Sequence, residues 1–570
     1  MRWKQGLMLL VLAAAPQGAW AQERVEEVDL PPHVAESVAE FFNRTSTLRF
    51  TGRSEMPAGG AIQGNVAVLR GPFTVAGEID GDLMVVNGDL SIVGDGFVTG
   101  NVTVIGGRMV TGEAAVGGQR TVYSEIVRYV RRGDRIVVDT EPRARRYRDG
   151  TRSRISVRNE GSYNRVEGMP VMVGPVVRTG GAQYTRFDAL AIWRTDWGFD
   201  EEEIGWFLRA EQHFGPQGRF TIGATAHSVI SPIERWGISD AETSLSTFLF
   251  HSDYRDYFER EGYSAFLGFE DRDAGVSLRA EYRDEEHMFV PAGSPWTLKD
   301  NEDPWRPQPL VGTGNLRSLK VGLTVDGRND PEDPSDGWYL NSHAIFGLEG
   351  DLAVPSAYGA LPGPAGPATA GYAVNSEFRT GFMDLRRYAR LGPSSDIRVR
   401  GVLAGSFNDD PLPSQYQHAL GGAGSLPGYG LMSIDCGARS RRASVLQERG
   451  GSEARYPAYA GYGCDRMALF QAEYRGDFSV DIDLGDDEWD EDWDWYPAVD
   501  FSPSWSVFFN AGRGWSLSDP ASASYLGPDT QTFADVGAGI LFGDIGLYWA
   551  YPLHGDDRNV NFFLRIDHRF

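Results

Sequence analysis

From about Ser156 to Phe570, apolar and polar residues alternate with a period of two in short runs, each closed by a stretch rich in Gly, Pro or Asp. Leu319, Val321, Leu323 and Val325 alternate with Lys320, Gly322, Thr324 and Asp326; GRNDPEDPSDG then supplies turn residues, and Trp338-Tyr339-Leu340 opens the next run. The pattern predicts an antiparallel hairpin. The final run is the clearest, with Val560, Phe562, Leu564, Ile566, His568 and Phe570 on one face and Asn561, Arg565, Asp567 and Arg569 on the other. Such a strand sets one face against hydrocarbon and the other against water. About sixteen strands fit between residues 156 and 570 at roughly 26 residues per strand and connection, enough for spans of about 9–11 residues. The predicted fold is all-β: a transmembrane antiparallel β-barrel.

Upstream, the pattern repeats at a longer period. Gly64-Asn65-Val66-Ala67-Val68-Leu69, Gly81-Asp82-Leu83-Met84-Val85-Val86 and Gly100-Asn101-Val102-Thr103-Val104-Ile105 begin at positions 64, 81 and 100, with a second apolar pair at Phe73/Val75 and at Leu90/Ile92. A unit this short cannot bury a core alone, so the coils must stack, and residues 48–118 read as a small β-solenoid. A segment at 22–47 precedes it, with a short helix over PHVAESVAEFFNR that carries Val34, Val38 and Phe41 or Phe42 at helical spacing. Residues 1–21 read as a secretory signal: Arg2 and Lys4, an apolar run from Leu7 to Ala15, and small residues at Ala19 and Ala21. Residues 119–155 form a basic linker; its arginines suit anionic lipid headgroups or an acidic partner as well as they suit a solvated strand pair.

Composition agrees with a barrel. Gly reaches 70, aromatic residues make up 12%, and the net charge is −25; mean hydropathy is −0.34 because only alternate strand positions are apolar. This negative charge excludes general nucleic-acid binding. Cys436 and Cys464 are the only cysteines, and in a chain exported to an oxidising compartment one disulfide is expected. The acidic run GDDEWDEDWDWY fits an interfacial turn better than a cation site, because its spacing matches no calcium loop. The nine histidines are scattered and no nucleophile elbow, zinc-protease or phosphate-loop motif occurs. No catalytic residues, metal or cofactor are therefore expected, and the chain is not expected to be an enzyme.

Several stretches in order resemble the bacterial surface-antigen barrels related to the barrel-assembly insertase BamA and to two-partner secretion translocators. They are YNRVEGMPVMVG, similar to a first barrel strand; DGRNDPEDPSDGWYL; GGAGSLPGYG (Gly421–Gly430), similar to the tip of the sixth loop; then MALFQAEYRGDF, SWSVFFNAGRGW, FADVGAGILFGDIGLYWAYPL and FFLRIDHRF. The resemblance implies that the tip residues Gly421, Gly422, Gly424, Ser425, Leu426, Pro427, Gly428 and Tyr429 fold back into the lumen against a wall carrying Glu473 and Asn510. It also makes Phe562, Leu564, Ile566 and Phe570 an outer-membrane assembly signal.

Two positions differ from the family: Pro427 stands where the family has Arg, and Asn510 where it has a carboxylate, so the loop would dock without that ion pair. The solenoid resembles the bactofilin type and takes the place of the family's polypeptide-transport-associated domains. The implied function is membrane assembly or protein translocation at the outer membrane. Outer-membrane lipid, the barrel-assembly machinery during biogenesis and a periplasmic protein met through the solenoid would be the partners. A passive pore or structural tether, and a surface barrel hydrolase, are the other readings.

Overall fold

The computed structural model describes residues 32–570 apart from 139–150, 355–360, 437–443, 446–462, 478–502, 518–531 and breaks of one to five residues. The signal, the acidic tryptophan run and much of the basic linker lie outside the described residues. Helix α1 spans Pro32–Asn43. The solenoid follows as parallel ladders. One joins Thr47–Thr51, Asn65–Leu69, Leu83–Val86, Val102–Ile105 and Arg120–Tyr123, so Arg120–Tyr123, assigned above to the linker, is the solenoid's last strand. A second joins Ser54–Met56, Phe73–Val75, Leu90–Ile92 and Met109–Val110, and a third Ala61–Gln63, Glu78–Asp80 and Phe97–Val98.

The repeated Gly-Asn/Asp pair has a physical cause at both positions. A Cβ at Gly81, Gly100 or Gly118 would run into the carbonyl of Gly64, Gly81 or Gly100 one coil earlier, so only glycine lets the coils stack this closely. The next residue forms a ladder: Asn65 Oδ1 accepts from Asp82 N (3.0 Å), Asp82 Oδ1 from Asn101 N (2.7 Å) and Asn101 Oδ1 from Gln119 N (2.9 Å). Val66, Val68, Val85, Val102 and Val104 fill the axis. Outside it, Val34, Val38, Phe41 and Phe42 of α1 pack with Val127 and Ile136 over Ala67, Leu69, Met84, Val86 and Ile105, so one face of the coil is covered by the chain itself.

The second half forms one sixteen-stranded sheet in sequence order, antiparallel throughout. Its strands are β1 Arg152–Asn159, β2 Pro170–Arg178, β3 Thr185–Arg194, β4 Gly205–Phe214, β5 Phe220–Pro232, β6 Tyr257–Asp271, β7 Val276–Met288 and β8 Gly314–Asp326. They continue as β9 Gly337–Gly350, β10 Arg379–Gly392, β11 Ser395–Ser406, β12 Arg466–Asp477, β13 Ser504–Trp515, β14 Phe533–Phe542, β15 Ile545–Pro552 and β16 Asn561–Ile566. The hairpin at GRNDPEDPSDG pairs β8 with β9, with Val325 opposite Leu340. Outward positions such as Phe187, Leu208, Ile222, Leu267, Leu403 and Phe562 are exposed and apolar, whereas inward ones such as Asp188, Arg398, Arg400 and Gln471 are buried and polar. No helix among the described residues is long and apolar enough to cross a membrane.

Two expectations are corrected. The first strand begins at Arg152, inside the predicted linker, because arginines occupy its polar positions between Ser153, Ile155 and Val157. YNRVEGMPVMVG is not the first strand: Tyr163–Gly168 lie in the β1–β2 connection, and Pro170 opens β2. The last strand is described as Asn561–Ile566; Asp567 and His568 of the expected alternation lie outside the described residues, and Phe570 is buried. Among the described residues no ladder joins β1 to β16, so the sheet has two edges there.

The solenoid meets the short-turn end of this sheet. Arg390 at the end of β10 donates to Asp89 (2.5 Å) and to Ser335 (2.7 Å), and Arg108 pairs with Asp336 in the β8–β9 turn.

Candidate functional site: a loop tip docked on the interior wall

The connection between β11 and β12 turns back on itself at Gly421 and Gly422, whose φ angles of 106° and 89° no ordinary side chain adopts cheaply. Gly421 N donates to Ser425 Oγ (2.9 Å), closing the tip, and Leu426 is buried among Val402, Leu420, Ile434, Met467 and Leu469. From there the tip's backbone meets polar side chains of the wall. Gly428 N donates to Asp535 Oδ2 (2.9 Å), Ser425 O accepts from Gln471 (2.9 Å), and Gly428 O accepts from Asn561 Nδ2 (2.7 Å), which also reaches Pro427 O (3.3 Å). Tyr429 donates to Ala534 O (2.9 Å), accepts from His554 N (3.2 Å), and sets its ring edge-on to Phe533. Gly424 lies on Gly237, where a Cβ on the tip would come within 2.6 Å of the facing backbone.

Of the two wall residues named from sequence, Asn510 lies beside the tip and Glu473 does not. Asn510 Nδ2 donates to Asp535 Oδ1 (2.6 Å), while its Oδ1 accepts from Gln471 (3.3 Å) and from Arg569 (2.9 Å). Glu473 instead accepts from Arg475 (2.8 Å) and sits 3.6 Å from the guanidinium of Arg569. Its partners are the neighbouring arginine and the chain's carboxyl-terminal segment, because strand alternation places Glu473 two residues beyond Gln471, away from the tip. Arg569 is thus a cation in the region where Pro427 provides none.

Helix α2, Asp240–Phe250, enters from the β5–β6 connection. Ser239 and Glu242 form a capping box at its start, and the Glu242 carboxylate also accepts from Arg565 Nε (2.5 Å) and from the backbone N–H of Ile566 (3.0 Å). Arg565 donates onward to Ala423 O of the tip (3.2 Å). Loop tip, helix and last strand therefore form one hydrogen-bonded body. Among the side chains missed from sequence, Asp535 and Glu242 had a signal: Asp535 is the one charge in FADVGAGIL, and Ser239-Asp240-Ala241-Glu242 is a capping-box pattern. Gln471, Asn561, Arg565 and Arg569 had none beyond facing inward.

Cys436 and Cys464, 28 positions apart in sequence, are joined in a disulfide, with Cα atoms 5.3 Å apart. It ties the chain leaving the tip to the start of β12, and a Cβ at Gly514 would run into both sulfurs. Replacing Cys436 and Cys464 together with serine is expected to cost about 3 kcal/mol through loss of this closed loop. The check is the temperature at which a protease first cuts the β11–β12 connection, which should fall while the sheet stays intact.

In the β1–β2 connection, burial pushes the Glu167 carboxyl up to about 7, although Arg194 (3.5 Å) and Asn164 (3.2 Å) favour its charged form. A folded-state value above the unfolded 4.5 means the stabilisation is complete below the unfolded value and is lost as pH rises through 7. Thermal unfolding across this window should flatten in Glu167→Gln. An unchanged slope would contradict the assignment. Among the described residues, no cluster of His, Cys, Asp or Glu is arranged to hold a metal ion.

No family model and no curated protein matches the chain. Among solved structures it is similar to BamA and CdiB. BamA from Haemophilus ducreyi lacking POTRA domains 1-3 is 15% identical, over 76% of this chain and 79% of that one, with a TM-score of 0.41. CdiB from Escherichia coli is 14% identical over 78% and 68%, with a TM-score of 0.32. CdiB from Acinetobacter baumannii is 10% identical, with a TM-score of 0.29, over 73% of this chain and 60% of that one. The sixteen-strand order itself comes from this chain's own ladders.

Proposed function

We propose that the chain is a non-enzymatic outer-membrane barrel that assists polypeptide insertion or translocation, with its solenoid recruiting a partner on the periplasmic side. The supporting observation is the taper of the sheet toward its two edges. β1 and β15 have 8 residues each, whereas β6 has 15 and β9 and β10 have 14. At about 3.3 Å per residue and a tilt near 40°, the wall shrinks from roughly 38 Å at β6 to roughly 20 Å at β1 and β15. A hydrocarbon core is about 30 Å thick, so the bilayer beside β1 and β15 must thin or deform to match so short a wall. Edge strands there also leave backbone N–H and C=O groups open to an added strand.

The docked tip and α2 occupy the interior, which favours this reading over a passive pore. The short-turn end carries the solenoid, and that is the end this reading places in the periplasm.

The test is the folding rate of an unfolded outer-membrane barrel protein into lipid vesicles with and without the purified chain. Faster insertion is expected, most of all in thicker bilayers. Equal rates in both would reject the reading. Loss of a co-purifying protein when residues 48–118 are deleted checks the solenoid's role, and incubation with lipids and peptides should show no turnover.

A further inference from the structure

We infer that His287 and Gln415 form an acid-sensitive latch, in which a proton taken up by the His287 ring releases the arm that carries the loop tip from the β7–β8 connection. The arm enters through one turn of 3-10 helix, Ser414–Tyr416. Gln415 Oε1 accepts from Gly312 N (3.0 Å), and Gln415 Nε2 donates to Gly312 O (3.0 Å). That pairing fixes which end of the amide is which, because a backbone N–H only donates and a carbonyl only accepts. The second hydrogen on Nε2 is left for His287 Nδ1, 3.1 Å away, so this ring nitrogen must be an acceptor. The ring's proton then sits on Nε2, which lies 3.5 Å from Glu285 Oε2. His287, Gln415 and Gly312 are all buried, so bulk water does not compete for these groups.

A proton on Nδ1 sets two donors against each other. Gln415 cannot answer by turning its amide over, because its oxygen would then face Gly312 O and its nitrogen Gly312 N. The side chain has to leave, and Gly312 loses the partners of its N–H and its C=O together. The charged and titratable groups around the ring are Glu285 and Arg283 on β7, Arg260 on β6 and Tyr416 on the arm; β8 places Gly314 opposite, which has no side chain. His227 of β5 shares the same carboxylate, its Nε2 3.1 Å from Glu285 Oε1, reached across Gly262 of β6. Asp465 holds the arm on either side of Gln415, its Oδ1 accepting from Leu412 N (2.8 Å) and from Gln417 Nε2 (3.0 Å). Losing the Gly312 contact therefore slackens the stretch that leads into Gly421 and the tip. The inference concerns control of the docked loop and does not depend on the insertion or translocation reading.

Hydrogen exchange at the Gly312 amide, followed by mass spectrometry on the full chain folded in lipid, reads the latch directly. Rates are compared at about pH 7.5 and about pH 5, on either side of an ordinary histidine's titration, after correction for the intrinsic pH dependence of exchange. In the parent, protection should fall roughly tenfold or more on acidification, because both bonds to Gly312 are lost. His287→Asn keeps an acceptor near the Nδ1 position and cannot take a proton, so it should stay protected at both pH values. Gln415→Met should be unprotected at both. Heat-dependent gel mobility shows in each variant that the barrel has formed, and either variant decides the matter if the other does not fold. Equal protection of the parent at both pH values would overturn the inference. So would an acid-induced fall that persists in His287→Asn or in Gln415→Met, since His227, Glu285 or another group would then be its source.

Discussion

Asp535→Ala releases the loop tip. One carboxylate serves both the Gly428 N–H and the Asn510 amide, and it is fully buried. Its loss leaves two donors without acceptors, each at a cost of roughly 1–3 kcal/mol. Gly428→Val reaches the same end by another route: a Cβ there would lie 2.7 Å from the Asp535 Cβ and 3.0 Å from Pro552 N. Both variants should show larger single-channel conductance than the parent, with new protease sensitivity between residues 421 and 430. A conductance unchanged in both would show that the tip does not obstruct the interior.

Val85→Asp should unfold the solenoid and leave the sheet standing. Val85 is fully buried on the solenoid axis, opposite Val68 and Val104 in the ladder. Its environment offers no cation, so an aspartate there must be buried uncharged or expel the coil, at a cost of several kcal/mol. Coils stabilise only their neighbours, and the loss spreads through the stack. Limited proteolysis should cut within residues 48–123 while the heat-dependent mobility of the barrel persists. If the two parts unfold together, their ion pairs through Arg390 and Arg108 couple them more strongly than their number suggests.

The sheet was legible in the sequence because alternation is imposed by two different surroundings on the two faces of every strand. The solenoid was legible for a similar reason: stacking demands the same small residue at the same place in each coil, as at Gly81 and Gly100. Strand ends were less legible. Arg152 and Arg154 look like linker charges until their alternation with Ser153 and Ile155 is set beside β2. The candidate site divided along the same line. Glycines that permit a sharp reversal marked the tip at Gly421 and Gly422, whereas its acceptors, Asp535 on β14 and Asn561 on β16 among them, come from strands that the fold alone brings together. Glu473 was misplaced because strand direction fixes which inward residue meets the tip, and the Arg569 contact depends on a tail whose course the sequence does not state.

Asn510 has a consequence that a carboxylate in its place could not have. Its amide gives a proton toward the loop's anchor and takes one from the chain end, two directions that an ionised oxygen pair cannot serve, since it would repel Asp535. The tip and the tail are thereby linked through a single side chain. By thermodynamic reciprocity, whatever loosens the hold on one changes the hold on the other by the same factor.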